Sequence, residues 1–276
     1  LLAEDNEVNR EVAMAMLHGV GLVVDTAADG SEALVKAMAH PYDLILMDMQ
    51  MPGMDGIEAL TWFRKGSGKR FTFLTPPHTP VIAVTANALE GDEQRFIDLG
   101  FDDYLSKPFR QGQLQQMLKV HTTQADAEDQ TVDAEKPGRA RRAPSAPRPA
   151  PTEASSTAAH QLDPDALRRL RELDPKGENH LLERVARAFE TSLARLLPQL
   201  SEAGQQQDLA TVAHVAHTLK SSSASIGALK LSQMCADLES IIRRQTGEDL
   251  SSRIRDIPLE AERVQAGLQH VLETQA

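Results

Sequence analysis

A chain of 276 residues with 41% hydrophobic content has room for two ordinary cores, and a formal net charge of −11 excludes a surface built to meet nucleic-acid phosphates. One cysteine, Cys235, excludes an intramolecular disulfide framework and suits a reducing compartment. No apolar run approaches the roughly 20 residues that cross a bilayer. The opening "LLAEDNE" has neither an initiating Met nor a basic leader, so it reads as a piece cut from a longer chain and not as a signal peptide.

Residues 1–120 alternate short apolar runs with amphipathic stretches. The runs are Leu1–Ala3, Leu22–Thr26, Leu44–Asp48, Val81–Thr85 and Tyr104–Ser106, and helical patterns lie near 6–19, 30–39, 56–65, 90–98 and 110–119. Five strand–helix units imply a parallel, doubly wound sheet with helices on both faces, its first strand truncated to Leu1-Leu2-Ala3. Ligands of such sheets bind beyond the carboxyl ends of the strands. There the chain places Glu4-Asp5, Asp48, Thr85 and Lys107. Three convergent carboxylates repel unless a divalent cation sits among them, and oxygen ligands with open positions suit Mg²⁺. Asp48 is then the nucleophile that forms an acyl phosphate, with the Thr85 hydroxyl and the Lys107 ammonium on the remaining phosphoryl oxygens.

The motifs "LLAEDNEVNRE", "LILMDMQMPGMDG", "PVIAVTANAL" and "DDYLSKPF" resemble, in order and spacing, the receiver domains of two-component response regulators, with their flavodoxin-like fold. The resemblance implies that Asp48 is the phosphoacceptor, and that Glu4, Asp5, Asp48 and the backbone carbonyl of Gln50 hold Mg²⁺. It further implies that Lys107 binds phosphate, that Thr85 is the switch threonine, and that Tyr104 is the aromatic whose rotamer follows phosphorylation. Asp43 and Asp55 read as loop residues, and Met47, Met49 and Met51 as packing. The link "RKGSGKRFTFLTPPHTP", residues 64–80, is unusually long; its Phe71, Phe73 and Leu74 read as folding back onto the domain.

Residues 121–161 are a Pro/Ala/charged tether with almost no large apolar residue, and its cluster Lys136, Arg139, Arg141, Arg142 and Arg148 reads as solvation. From 162 to 276 the pattern is helical. Asp163 and Pro164 open a short leading helix, and a longer one carries Leu181, Val185, Phe189, Ser192, Leu196 and Leu200, with Pro198 as a kink or early end. Asp208 caps a third helix. Leu231, Met234, Leu238 and Ile241 mark a fourth, and Leu250 to Val271 a last one that Pro258 bends or splits. The expectation is an antiparallel four-helix bundle.

At about 100° per residue, Leu209, Val212, Ala216, Leu219 and Ser223 of the third helix share a core-facing arc. His217 falls on its flank, exposed, with Lys220 and Ser221 one turn on; His214 is a surface residue. An exposed imidazole attacks a phosphoryl group, a nearby ammonium steadies it, and small neighbours let another domain close over the ring. "AHTLKSSSASIGA" resembles the signature of histidine phosphotransfer (HPt) domains, which implies that His217 is the phosphohistidine and Lys220 its supporting cation, with Ser221 where glycine is usual.

A receiver, a tether and an HPt module together resemble the tail of a hybrid sensor histidine kinase. The implied partners are an upstream histidine kinase core and a downstream response regulator, in a bacterial cytoplasm, with the parent's anchoring in the inner membrane left open. No glycine-rich loop for ATP is visible, so this chain carries no kinase core of its own. The competing reading is a non-catalytic scaffold that acts by docking alone. A metal-dependent phosphohydrolase is disfavoured because the position two after Asp48, where its acid/base carboxylate belongs, is Gln50.

Overall fold

A computed structural model describes residues 1–66, 72–86, 93–122, 162–244 and 250–274. Strands β1 (Leu2–Ala3), β2 (Thr26–Ala27), β3 (Ile45–Asp48), β4 (Val81–Thr85) and β5 (Asp103–Ser106) alternate with helices α1 (Glu7–Gly19), α2 (Gly30–Ala39), α3 (Gly56–Lys65), α4 (Glu93–Asp98) and α5 (Gln111–Thr122). All pairings are parallel, in the order β2-β1-β3-β4-β5. The winding reverses between β1 and β3, which leaves a crevice at their carboxyl ends.

Alternation along the strands divides the core into two layers. Ile45, Met47, Val81 and Ala83 pack with Ala33, Ala37, Ala59 and Phe63 on one face of the sheet; Leu46, Ile82 and Val84 pack with Met16, Leu17 and Leu114 on the other. Asn6, Asp29 and Asp55 cap α1, α2 and α3, so Asp55 is a helix cap rather than only a turn residue. The run 22–26 forms a strand only from Thr26, and Val23 before it is exposed. Helix α5 passes residue 120 and ends at Thr122. Phe73 packs edge-on against Phe63, with ring centroids 5.3 Å apart, so this part of the link does fold back. Leu74 instead faces solvent, whereas Phe71 and the basic cluster of the tether lie outside the described residues.

The helical part comprises α6 (Pro164–Leu173), α7 (Leu181–Gln206), α8 (Leu209–Ile226), α9 (Leu229–Arg244) and α10 (Leu250–Glu273). Helices α7 to α10 close into a four-helix bundle around Phe189, Leu196, Val215, Leu219, Leu238 and Ile257, with α6 laid across it. Two expectations need correction. Pro198 does not end α7 and Pro258 does not split α10. Interior proline costs about 3 kcal/mol, but Leu200 and Ala203 beyond the first, and Ala261, Val264 and Leu268 beyond the second, keep the buried stripe in phase. Leu209, expected in the core arc, opens α8 at the solvent side and is exposed, while Val215 lies inside.

Gly56 opens α3 against the end of β3, where a Cβ would stand 2.1 Å from the Asp48 carbonyl oxygen. A backbone atom cannot yield there, so Gly56→Ala is expected to destabilise the fold by about 2–3 kcal/mol in a urea titration. An unchanged midpoint would show that α3 has freedom to retreat.

Candidate functional site

The strand ends bring Glu4, Asp5 and Asp48 together: one carboxylate oxygen of each lies within 4.8 Å of the others. Glu4 and Asp48 are buried. Burial pushes the Glu4 carboxyl up to about 7, with Asp48 and Asp5 adding and Lys107 opposing. Asp5 is also raised, by burial first and then by Asp48. Lys107 Nζ sits 2.6 Å from Glu4 Oε2 and pairs with Asp48 Oδ2 as well. Burial works against its charge, yet the two carboxylates hold the ammonium above its ordinary value.

The backbone shapes the rest of this corner. The Gln50 N–H donates to Asp48 Oδ1 at 3.1 Å, and the Lys107 N–H donates to the Thr85 carbonyl at 2.7 Å, beside a cis Lys107–Pro108 bond. Thr85 ends β4, buried at the same edge of the sheet. Tyr104 lies on β5 against Phe96, with ring centroids 5.2 Å apart. Met47 and Met51 are core residues, and Met49 packs against the same cluster. A donor set of three clustered carboxylates is hard and anionic, which fits Mg²⁺.

His217 departs from its expected exposure: only 9% of it is open to solvent. Seen on α8 alone it flanks the apolar arc; other elements supply the cover. Glu239 of α9 places Oε1 2.8 Å from His217 Nδ1 and pairs through Oε2 with Lys220. Burial works to raise the Glu239 carboxyl, but hydrogen bonds from His217 and Lys220 outweigh it and hold it below its ordinary value. Cys235 lies one turn before Glu239, its thiol pushed up to about 12 by burial and then by Glu239. The sequence reading missed Glu239. Its only signal is a charge one residue beyond the buried Leu238, at the edge of the apolar seam of α9.

The start of α1 covers the same side of α8. Asn6 Nδ2 donates to the Thr218 carbonyl at 2.9 Å. Asn9 Nδ2 donates both to Glu4 Oε1 at 3.1 Å and to Ser221 Oγ at 2.6 Å, while Ser225 Oγ donates to Asn9 Oδ1 at 2.8 Å. Val8 is fully buried within the core of the helical bundle, and Arg184 pairs with Glu11. His214 remains exposed, as expected, but lies within electrostatic reach of Asp5. The acidic corner and the His217 helix are therefore joined by side chains running from Asp48 through Lys107, Glu4 and Asn9 to Ser221.

Comparison with known proteins finds two family matches along the chain. Residues 1–119 match the response regulator receiver domain and residues 184–273 match the Hpt domain. Over 240 residues the chain is 30% identical to the aerobic respiration control sensor protein ArcB of Escherichia coli (strain K12), covering 87% of this chain and 27% of ArcB. Over 118 residues it is 46% identical to the two-component response regulator ORR41 of Oryza sativa subsp. japonica, covering 41% of this chain and 86% of that protein. Over 112 residues it is 40% identical to the hybrid signal transduction histidine kinase G of Dictyostelium discoideum, covering 40% of this chain and 3% of that kinase. The chain thus spans a small part of the hybrid kinases it matches, and relatives so widely spread do not by themselves assign a bacterial source. With a receiver domain at residues 1–119 and an Hpt domain at 184–273, the chain belongs to the two-component phosphorelay family.

Proposed function

We propose that this chain is the relay segment of a hybrid histidine kinase, in which Asp48 of a receiver module (1–120) exchanges a phosphoryl group with His217 of an HPt module (162–276). The observation that carries this reading is the continuous side-chain path from Asp48 through Lys107, Glu4 and Asn9 to Ser221, one turn from His217. An upstream kinase core supplies the group, a downstream response regulator removes it, and the setting is cytoplasmic. Among the described residues no helix is long and apolar enough to cross a membrane.

In the first step an Asp48 carboxylate oxygen attacks the phosphorus of a donor phosphohistidine; the P–O bond forms as the P–N bond breaks. Lys107, already between Glu4 and Asp48, counters the charge of the incoming group, and the Thr85 hydroxyl donates to it. Glu4, Asp5, Asp48 and the Gln50 carbonyl are the residues to hold Mg²⁺, which when bound supplies further charge neutralisation at the phosphoryl oxygens. Tyr104 reports the loaded state through its rotamer. In the second step His217 attacks the acyl phosphate and the Asp48 carboxylate leaves. The ionised Glu239 accepts a hydrogen bond from His217 Nδ1–H, which fixes the tautomer and leaves the Nε2 lone pair as the nucleophile. Lys220, on the other oxygen of Glu239, is placed to follow the charge onto the imidazole.

Labelling decides the reading. With magnesium and a phosphorylated kinase core, or a small acyl phosphate, wild type should carry label on Asp48 and then as base-stable, acid-labile phosphohistidine at His217. Asp48→Asn should carry none, and His217→Gln should carry the acyl phosphate alone. Absence of label from a folded wild-type chain would favour the docking scaffold.

Glu239 gives two further expectations. Losing a hydrogen bond to a charged partner costs about 1.5–3 kcal/mol, so Glu239→Ala should slow transfer onto His217 at least about tenfold. Glu239→Gln, whose carbonyl still accepts from Nδ1–H, should stay within about threefold by the same reasoning. Equal rates in wild type and Glu239→Ala would remove Glu239 from the step. The second expectation concerns pH. The folded-state value of Glu239 lies below its ordinary 4.5, so its stabilisation is present above that pH and lost as pH falls through the folded value. In paired melts, wild type should exceed Glu239→Gln in stability at pH 7, and the gap should narrow below pH 4.5. A gap independent of pH would mean that the carboxylate charge contributes nothing.

A further inference from the structure

Asn9 is 7% exposed, and every polar atom of its side chain is used. Its two N–H groups go to different domains, one to the Glu4 carboxylate beside the phosphoacceptor and one to the Ser221 hydroxyl on the His217 helix. Its carbonyl accepts from Ser225, one turn further along α8. Only a carboxamide carries two donors and an acceptor in this arrangement. An aspartate in its place has no donor and sets a second carboxylate against Glu4. An alanine removes the partner of the Ser221 hydroxyl and leaves Ser225 only its bond to the Ser221 carbonyl at 3.1 Å. A lysine or arginine in its place has no acceptor, and so offers Ser225 nothing to donate to.

We propose that Asn9, Ser221 and Ser225 form a recognition clamp that selects which receiver the His217 helix accepts: one presenting a carboxamide at the position of Asn9, four residues after the second acid of the acidic pair. The proposal rests on the relay reading for its consequence, since the helix selected for is the one that carries His217. Val8 supplies apolar burial that any receiver with a small hydrophobe there reproduces, so the discrimination falls to the polar groups. Asn6 sets the register by donating to the Thr218 carbonyl while its Oδ1 caps α1 at Val8 N, 3.0 Å away. His217 lies one turn before Ser221 on α8, so a regulator that docks there to take the phosphoryl group must displace the chain's own receiver and present the same carboxamide. The partner is thus a second receiver of stated chemistry: neutral and amide-bearing at this position, neither acidic nor basic.

The test uses the full chain in four forms: wild type, Asn9→Asp, Ser221→Ala/Ser225→Ala, and Asn9→Ala combined with both serine changes. Small-angle scattering measures docking, and label from acetyl phosphate is followed from Asp48 to His217. Docking should be weakened in all three variants, seen as an increased radius of gyration. Transfer should slow about tenfold in the serine pair, read as the rate at which label already on Asp48 moves to His217. Asn9→Asp should slow transfer further, and adding Asn9→Ala to the serine pair should slow it no more than the pair alone, because the hydrogen bonds are already gone. Unchanged scattering and transfer in Asn9→Asp and in the serine pair, with melting curves that show folded protein, would overturn the clamp; so would additive losses in the combined variant. If wild type labels Asp48 but never His217, the relay reading falls, and the scattering alone still decides whether the clamp holds.

Discussion

Charge crowding at the carboxyl edge of the sheet constrains everything around it. Glu4, Asp5 and Asp48 approach within 4.8 Å, and burial makes their mutual repulsion harder to screen. Lys107 answers two of them at once, which requires the turn after β5 to deliver its ammonium between the ends of β1 and β3. The sheet order supplies that convergence, because β1 and β3 are neighbours where the winding reverses. Local backbone completes it: the Gln50 N–H fixes one Asp48 oxygen, and Gly56 lets α3 begin against the Asp48 carbonyl. Asp48 is thus a carboxylate held in place from three sides by its neighbours.

The histidine side answers a different constraint, that of keeping one ring nitrogen bare inside a covered surface. Glu239 occupies Nδ1, and small residues line the approach on α8. Serines are poor helix formers because their hydroxyls compete for backbone groups, and the run shows that competition. Ser222 Oγ donates back to the Thr218 carbonyl at 2.9 Å, and Ser223 Oγ is the only buried side-chain polar atom among the described residues that lacks a hydrogen-bond partner. Against these costs stand the two serines that meet Asn9. The polar run weakens α8 as an isolated helix and makes it specific as a surface.

What the sequence made legible follows from where each constraint originates. Alternating strands and helices, and polar residues at four strand ends, are local patterns, so the sheet, Asp48, Thr85 and Lys107 were readable in the chain. The caps Asp163 and Asp208 were readable for the same reason. The burial of His217 was not, because Glu239, which meets its ring, stands on another helix, 22 residues further along the chain. Asn6 and Asn9 stood within the receiver motif with no sign that their second partners lay on α8. Pro198 and Pro258 misled because a local rule about proline was weighed without the buried stripe that continues past each.

Glu4 is where the two constraints meet. One of its oxygens accepts from Lys107 and the other from Asn9. Lys107 is shared between Glu4 and Asp48, and Asn9 is shared between Glu4 and Ser221. Binding events that draw on a shared group are coupled, and coupling between two equilibria is reciprocal. A single buried carboxylate, joined through Lys107 to Asp48 and through Asn9 to Ser221, thereby connects the edge of the sheet to the helical bundle.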